Sequence, residues 1–330
     1  MTSSAPCPSR PSQPEAAPSQ QTEFLLDVWR GLESEPPSLP CKYFYDARGS
    51  RLFDLICESP EYYVTRTEAA IMSRHAPAMA QRIGPGALLL EYGSGSSLKT
   101  RLLLDALQQK NLQPAAYVPL DISREHLEGT ALKLRGEYPR LQVLPLACDY
   151  TRHFELPRVD GASRVVAYFP GSTLGNFARE EAGRFLARIR QAVGQGGALL
   201  IGLDLKKSPQ VLVPAYDDAQ GVTAAFNLNI LARINRELEA DFELGLWRHR
   251  ALWNEPESRI EMHLIASCAQ RARVAGREFC FARDAAILTE YSHKYTLDDA
   301  ARLAEHAGFT VREVWCDQSN YFSLQLWDAH

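Results

Sequence analysis

Apolar and polar positions follow two alternating patterns along residues 87 to 205. Short apolar runs are typical of buried strands, and stretches with helical spacing separate them. The runs are ALLLEY, AAYVPLD, LQVLPLACD, RVVAYFPG and GALLIGLD, and the stretches include SLKTRLLLDALQQ, SREHLEGTALKLRGEY and AREEAGRFLARIRQAV. Strands that alternate with helices in this way predict an α/β fold, in which helices cover both faces of a parallel sheet.

The segment before this alternation is mostly helical in its spacing. Within residues 22 to 82, Thr65 and Glu68 are three positions apart, which is the spacing of a capping box. This pair predicts that a helix starts near Arg66. A second helical stretch, residues 222 to 241, places its apolar side chains on one helix face.

Residues 243 to 295 change to the two-residue period of strands. Ile260, Met262 and Leu264 then share one face of a strand. In the last strand of this stretch, alternation places Glu290, Ser292 and Lys294 on one face. We interpret these residues as mainly antiparallel, and we expect a late helix and two final strands to follow them.

These patterns divide the chain into five predicted segments. The first is a disordered tail, because it is rich in Pro, Ser and Ala and lacks the apolar core of a secretory signal. The others are two parts of a second, substrate-binding lobe and two parts of a nucleotide-binding domain. In order, the segments are the tail (1–21), the first part of the lobe (22–82), the domain (83–210), the rest of the lobe (211–295) and the return to the domain (296–330).

Composition limits the classes of function. The 330 residues include 45% hydrophobic residues and carry a net charge of −4, so a nucleic-acid or membrane partner is not expected. Seven scattered cysteines, without a C-x-x-C pair, predict a reducing compartment, and we expect a cytoplasmic monomer. The eight histidines have no ligand spacing, so no metal is expected.

The segment LLLEYGSGSSLKT, residues 88 to 100, has the layout of a strand, a glycine loop and a helix start. A dinucleotide site needs a third glycine where Leu98 stands, and a pyrophosphate would lie close to Glu91. Both features disfavour a nicotinamide oxidoreductase. S-adenosyl-L-methionine suits the loop better, because Glu91 can attract its ammonium and sulfonium while Gly93 and Gly95 allow close approach.

Two further acids end the next two predicted strands. Asp121 can accept both ribose hydroxyls of this cofactor, and Asp149 can accept from the adenine amino group. Ligands of parallel sheets lie at the carboxyl ends of the strands, so three acids there favour a shared site. The alternatives are that the two aspartates only cap helices and that Lys99 is a solvated helix lysine.

The motifs together resemble one family, the L-histidine Nα-methyltransferases of ergothioneine biosynthesis. The similarity covers residues 23 to 328, in the family's order. Its motifs are KYFYDARGSRLFDLICESPEYYVTRTEA, LEYGSGSSLKTR, PLDIS, CDY, FPGSTLGNF, GLDLKK, AYDDAQGVTAAFNLNILARINRELEADF, RIEM and LTEYSHKY. The resemblance implies a class I methyltransferase fold and trimethylation of the α-amino group of L-histidine, through mono- and dimethyl intermediates, to hercynine.

The resemblance also implies roles for individual residues. Tyr45 and Asn176 are implied at the reacting amino group. The implied cofactor residues are Glu91, Gly93, Gly95, Lys99, Asp121, Asp149 and Tyr150, and the implied substrate residues are Tyr62, Gly171, Asn176, Tyr216, Met262, Glu290 and Ser292. Tyr92 and Tyr291 differ from the family pattern, and Tyr291 should point away from the substrate because strand neighbours face opposite sides.

The residues considered singly leave simpler alternatives open. Asn176 could be a turn residue, Tyr62 and Tyr216 could be core aromatics, and Glu290 with Ser292 could form an exposed polar face. Two other functions also remain: methylation of a different amino acid such as tryptophan, and a catalytically silent module that binds S-adenosylmethionine.

Overall fold

The computed structural model describes residues 20–95, 98–122, 124–152 and 154–330. Most of the predicted tail, together with Ser96 and Ser97 of the glycine loop, lies outside these residues. The last two residues predicted for the tail belong to the first helix instead. Gln21 donates from its side chain to the carbonyl of Glu237 at 3.0 Å, so the helix begins earlier than composition suggests.

Three helices form the N-terminal segment: α1 (Gln20–Leu32), α2 (Ala47–Glu58) and α3 (Tyr63–Ile83). Asp46 caps α2 by accepting from the Gly49 amide at 2.7 Å. The capping box predicted at Thr65 is wrong, because α3 already begins at Tyr63 and Thr65 donates to the Cys57 sulfur. Glu68 turns instead to a lysine distant in sequence, which is described below.

A seven-stranded sheet forms the centre of the molecule. Its strands are β1 (Ala87–Tyr92), β2 (Ala116–Asp121), β3 (Leu146–Ala147), β4 (Arg164–Phe169), β5 (Ala198–Asp204), β11 (Phe309–Cys316) and β12 (Phe322–Ala329). The order is β11-β12-β5-β4-β1-β2-β3; β1 to β5 are parallel, while β12 and β11 are antiparallel. Strands β2 and β3 lie on one side of β1, and β4 and β5 lie on its other side. Ligands of such sheets bind at this change of direction, between β1 and β4.

Helices cover both faces of this sheet, as predicted. They are α4 (Leu98–Gln109), α5 (Arg124–Glu137), α6 (Arg179–Val193) and α9 (Leu297–His306). Apolar side chains of α3, α4 and α5 fill one face, and those of α6 and α9 fill the other. The third strand is shorter than its apolar run predicts, since Pro119 of β2 faces this strand and has no amide hydrogen to donate to it.

The remaining elements form the second lobe. They are α7 (Pro209–Leu212), α8 (Val222–Glu237), β6 (Trp247–Asn254), β7 (Arg259–Ala266), β8 (Gln270–Val274), β9 (Arg277–Phe281) and β10 (Ala286–His293). The strands pair antiparallel, as predicted, in a three-stranded sheet of order β10-β7-β6 and a β8-β9 hairpin. Helix α8 packs on both α2 and β6, which joins the N-terminal helices to this lobe.

Candidate active site

The glycine loop follows β1 at the point where the strand order reverses. Gly93 and Gly95 have positive φ angles of 70° and 46°, a backbone conformation that favours glycine. The Gly93 amide donates to the Leu120 carbonyl at 2.9 Å, which ties the loop to the end of β2. A Cβ atom on Gly93 would lie 3.6 Å from the Tyr150 hydroxyl, so this tyrosine closes one side of the loop.

Glu91 lies in β1 and is almost fully buried. Its carboxylate accepts from the Thr100 hydroxyl at 2.6 Å and from the Tyr117 hydroxyl. Burial raises the pKa of Glu91 to about 7, although both hydrogen bonds act in the opposite direction. Glu91 therefore links β1 to β2 and to α4, and a direct contact with a cofactor stays a prediction.

The two aspartates lie where the sequence analysis placed them. Asp121 is the last residue of β2, and its carbonyl accepts from the Cys148 amide at 3.0 Å, so β2 and the Asp149 segment run side by side. Asp149 uses one carboxylate oxygen locally, accepting from the Thr151 amide at 2.9 Å and hydroxyl at 2.5 Å. This is a turn contact rather than a helix cap, and the carboxylate retains acceptor capacity.

Lys99 is not a solvated helix lysine. Its ammonium pairs with Glu68, whose side chain is fully buried on α3. Glu68 also accepts from the Gly171 amide at 3.1 and 3.0 Å, and a Cβ on Gly171 would lie 3.7 Å from the Lys99 nitrogen. One buried carboxylate thus holds the predicted cofactor lysine beside the loop that follows β4.

An aromatic pocket lies between the N-terminal helices and the second lobe. Tyr45 and Phe226 have ring centroids 5.7 Å apart, and Tyr62 and Tyr216 are 6.1 Å apart. Phe53 contacts members of both pairs, with centroid distances of 5.6 Å to Tyr45 and 6.2 Å to Tyr62. The three tyrosines pack against aromatic rings as core residues do. Burial raises the pKa of Tyr62, and Tyr216 and Tyr45 lie close enough to add to this rise.

Glu290 and Ser292 enter this pocket from β10. Met262 is paired with Glu290 across the sheet, and a register shift between Leu288 and Glu290 interrupts the strand alternation there. The Ser292 hydroxyl lies 2.7 Å from the Tyr216 hydroxyl. Within the described part of the chain, no hydrogen bond or ion pair satisfies the Glu290 carboxylate.

Electrostatics place Glu290 close to the other pocket residues. Burial raises its pKa to about 7, and the charge of Lys294 opposes this rise. Burial also raises the pKa of Tyr45 and of Tyr62 well above the ordinary tyrosine value, and the Glu290 carboxylate adds to both shifts. Both tyrosines therefore keep their protons at neutral pH and cannot act as free bases.

Cys41 connects this pocket to the cofactor end of the sheet. Burial and then the Glu290 carboxylate raise the pKa of Cys41 to about 12. The pKa of Tyr150 is raised by burial, by Asp121 and by Cys41. Cys41 thus lies near residues predicted for the substrate and near residues predicted for the cofactor.

Asn176 ends a short 3-10 turn, Thr173–Asn176, in the loop after β4. A Cβ on Gly175 would lie 2.8 Å from the His293 carbonyl, so only glycine lets this turn pack so closely on β10. The turn that ends at Asn176 therefore packs against β10 and belongs to the same loop that carries Gly171. Tyr291, as predicted, faces the other way, and its ring lies 3.8 Å from the Arg259 guanidinium.

Several site residues have no local signal in the sequence. Glu68 has the spacing of a helix cap, and Phe53 and Phe226 look like ordinary core residues. Lys294 shares its strand face with Glu290 and Ser292, which is the one signal that could have indicated it. Its buried partner Asp204 ends β5, 90 positions away in sequence, and no local pattern connects the two residues.

The site has groups that suit S-adenosylmethionine. The loop glycines expose backbone, Lys99 offers a cation for a carboxylate, and Asp121 and Asp149 offer acceptors for ribose and adenine. Tyr92, which differs from the family pattern, is buried and contacts the Tyr150 ring edge-on at 5.7 Å, so it does not obstruct the loop.

The sheet order and the residues at its strand ends define the class of protein, a class I methyltransferase. A model of a family described as histidine-specific, S-adenosylmethionine-dependent methyltransferases matches residues 24–329. The chain belongs to this family, and S-adenosylmethionine is its cofactor. The predicted fold, enzyme class and cofactor are confirmed.

Curated relatives agree with this assignment. The chain is 41% identical to a histidine N-alpha-methyltransferase of Mycolicibacterium smegmatis, over 94% of this chain and 96% of that one. It is 41% identical to the Mycobacterium tuberculosis protein of the same name, over 91% and 93%. It is also 32% identical to ergothioneine biosynthesis protein 1 of Neurospora crassa, over 88% of this chain and 33% of that longer one.

No helix in the described ranges is both long and apolar enough to span a membrane.

Proposed function

We propose that this enzyme transfers three methyl groups from S-adenosylmethionine to the α-nitrogen of L-histidine. The product is hercynine, and the reaction is the first step of ergothioneine biosynthesis. The observation that carries the proposal is the partly buried Glu290 carboxylate, which lacks a partner among the described residues and lies two positions from Ser292. One carboxylate and one hydroxyl on the same strand face can hold the two nitrogens of an imidazole.

The other pocket residues suit the remaining parts of an amino acid. Asn176 can both donate and accept, which matches an α-ammonium and an α-carboxylate. Tyr45 lies among aromatic rings next to Glu290, where its protonated hydroxyl can accept from or donate to the amino group. These contacts would align the nitrogen for attack, and such alignment supplies much of the rate enhancement.

The bound cofactor supplies a methyl group that its sulfonium already activates. The amine must lose a proton before each transfer, and burial beside a positive charge lowers an amine's pKa. After the third transfer the nitrogen has no lone pair, so methylation stops. The mono- and dimethyl intermediates bind through the same ring contacts.

A methyl-transfer assay across the free amino acids tests this function. We expect histidine to react, with the product mass rising by one, two and then three methyl groups. Phenylalanine, leucine and alanine should react far more slowly, because they leave Glu290 and Ser292 unpaired. Faster methylation of tryptophan than of histidine, or cofactor binding without turnover of any amino acid, would overturn the proposal.

We also infer that the enzyme is a cytoplasmic monomer without a nucleic-acid or membrane partner. The support is the mildly acidic composition and the scattered cysteines. Light scattering coupled to gel filtration would measure the molar mass in solution, and a dimer mass would contradict the inference.

A further inference from the structure

A buried polar cluster lies next to Glu290, and we name it the Lys294 cluster. Its members are Asp204, Tyr216, Ser292 and Lys294. The side chains of Lys294 and Asp204 are completely buried, and the ammonium nitrogen lies 2.7 Å from the carboxylate of Asp204. The same nitrogen lies 2.8 Å from the Tyr216 hydroxyl and 2.7 Å from the Ser292 hydroxyl.

An ammonium has three hydrogen atoms to donate and accepts none. Lys294 therefore uses all three donors inside the cluster, on Asp204, Tyr216 and Ser292. Burial lowers the pKa of Lys294, but Asp204 and Tyr216 raise it more, so that its pKa lies above the ordinary value and it stays charged. Lys207 also binds Asp204, at 2.5 Å, yet burial lowers its pKa to about 8.

The two hydroxyls each accept from Lys294 and carry one proton each. One of these protons lies in the 2.7 Å bond between Tyr216 and Ser292. Neither hydroxyl has another partner in the part of the chain that the structure describes. The second proton therefore needs an acceptor in the substrate pocket.

We propose that Lys294, held by Asp204, is a positioning residue that makes the Tyr216–Ser292 hydroxyl pair a hydrogen-bond donor toward the ring of histidine. This inference rests on the proposed function. A neutral imidazole has one N–H and one bare nitrogen. Its N–H then binds Glu290, and its bare nitrogen accepts from the hydroxyl pair.

The same cluster disfavours the imidazolium form of the substrate. An imidazolium carries two N–H groups, so one of them would face the hydroxyl pair. The hydroxyl pair could accept that N–H only by leaving one of its own protons buried and unpaired, which is costly. The Lys294 ammonium would also repel the ring charge. The cluster thus favours the neutral ring, against the attraction that the Glu290 carboxylate exerts on an imidazolium.

A comparison of histidine with 2-fluorohistidine tests the proposal. Fluorine withdraws electrons, so the ring of 2-fluorohistidine stays neutral where histidine becomes charged. Between about pH 8 and about pH 5.5, kcat/KM for histidine should fall about tenfold more than for the fluorinated substrate, because an ordinary imidazole has a pKa of about 6.5. Equal falls in the wild-type enzyme would overturn the proposal.

Comparing the two substrates cancels the titration of protein groups that do not contact the ring, and it also cancels damage to the fold. Besides Glu290, the charged and titratable groups around the cluster are Tyr45, Tyr62, Tyr63, Cys41, Asp204, Lys207, His249 and His293. Glu290 contacts the ring itself, and its negative charge attracts an imidazolium, so it works against the expected difference between the substrates.

In Lys294→Met the hydroxyl pair can accept, because each hydroxyl oxygen loses the ammonium donor that occupied one of its acceptor sites. The fall in kcat/KM for histidine, divided by the fall for 2-fluorohistidine, should then shrink from about tenfold to less than about threefold. The matched control is Lys207→Met, which removes the other cation on Asp204 but no donor to Tyr216 or Ser292. This variant should keep the full tenfold ratio between the two substrates. A tenfold ratio that persists in Lys294→Met would contradict the positioning role of Lys294.

A measurement on the wild-type enzyme keeps the proposal testable if Lys294→Met does not fold. Ring-labelled nitrogen-15 histidine, bound with S-adenosylhomocysteine at about pH 6, should show one protonated and one bare nitrogen, although an ordinary imidazole is mostly charged there. Two protonated nitrogens would overturn the proposal. Failure of the proposed function would look different, because the wild-type enzyme would then not methylate histidine at all.

Discussion

Two glutamates in different parts of the molecule share one electrostatic property and differ in their partners. Glu91, in the central sheet, and Glu290, in the second lobe, both have a pKa raised to about 7 by burial. Glu91 accepts two hydroxyl hydrogen bonds, from Thr100 and Tyr117. Glu290 has no such partner among the described residues, and the charge of Lys294 is the one group that lowers its pKa.

A perturbed pKa alone therefore does not distinguish the two roles. A buried carboxylate whose acceptor sites are filled from its own fold acts as a structural tie. A buried carboxylate without a partner costs stability, and such costs are typical of sites that bind a ligand. Both hydrogen bonds of Glu91 end on one carboxylate oxygen and tie β1 to β2 and α4, so a contact of the other oxygen with the cofactor stays a prediction. The absence of such bonds at Glu290 among the described residues supports the proposed contact with the substrate.

The largest expected effect is a loss of cofactor affinity, which a change at the cofactor end should cause and a change in the substrate pocket should not. Asp121→Ala removes an acceptor for the ribose hydroxyls, and a charge-assisted hydrogen bond is worth about 1.5–3 kcal/mol. Affinity for S-adenosylmethionine should therefore fall roughly 10- to 150-fold by calorimetry. Glu290→Ala is the control and should bind the cofactor normally. Unchanged affinity in a folded Asp121→Ala protein would remove Asp121 from the site.

The second prediction concerns the substrate pocket rather than the cofactor end. Glu290→Ala should weaken histidine binding by about 1–3 kcal/mol, which is roughly 5- to 150-fold. The larger, less polar pocket should also admit tryptophan better than the wild-type pocket does. The measurement is kcat/KM for both amino acids, and the control is Glu278→Ala, an exposed glutamate on β9.

Wild-type efficiency and an unchanged preference for histidine in Glu290→Ala would show that Glu290 does not contact the ring. The imidazole would then have to be assigned to another part of the pocket.

The sequence predicted the cofactor end better than the substrate pocket for a physical reason. The two aspartates predicted for the cofactor follow apolar runs, so a local pattern and the geometry of parallel sheets bring Asp121 and Asp149 together. The pocket instead joins Tyr45, Phe226 and Glu290 from segments far apart in the chain. Only the family resemblance could group these residues, because no local period connects them.

The errors have the same origin. Thr65 and Glu68 have the correct spacing for a capping box, but tertiary contact with Lys99 and Gly171 determines where Glu68 points. The apolar run LQVLPLACD predicts a long strand, but Pro119 on the facing side of β2 lacks an amide hydrogen, so β3 is only two residues long. Long-range ion pairs such as Lys294 with Asp204 could not be predicted, because either residue alone is an ordinary polar position.

The third prediction concerns stability and tests the comparison without any ligand. The folded-state pKa of Glu290 lies above its ordinary value of 4.5, so the folded protein holds more protons than the unfolded chain between about pH 4.5 and about pH 7. Glu290 therefore lowers the free energy of unfolding as pH rises through this window. Glu290→Gln should be more stable than wild type at about pH 8, by about 1–2 kcal/mol.

Urea unfolding at about pH 5 and about pH 8 would measure this difference. Glu91→Gln is the matched control. The pKa of Glu91 is raised to the same value, so this variant also loses the cost of a buried charge. Its amide keeps only part of the acceptor capacity that Thr100 and Tyr117 use, so we expect its net gain to be smaller by about 0.5–1.5 kcal/mol. Equal changes in stability for both variants at pH 8 would show that the two glutamates do not differ as the structure indicates.

The smallest expected effect concerns the N-terminal residues, which precede both the cofactor end and the substrate pocket in the sequence. Residues 1–19 are rich in Pro, Ser and Ala, a composition that cannot bury enough apolar surface to pack. Their deletion should leave kcat/KM and the free energy of unfolding unchanged. Deletion of residues 1–21 should also keep activity but should lose about 0.5–1 kcal/mol of stability, because it removes the hydrogen bond between Gln21 and the Glu237 carbonyl. Urea unfolding of both truncated proteins tests this. A folded but inactive protein lacking residues 1–19 would show that the tail takes part in catalysis, and the contrast between cofactor end and substrate pocket would then omit a third contributor.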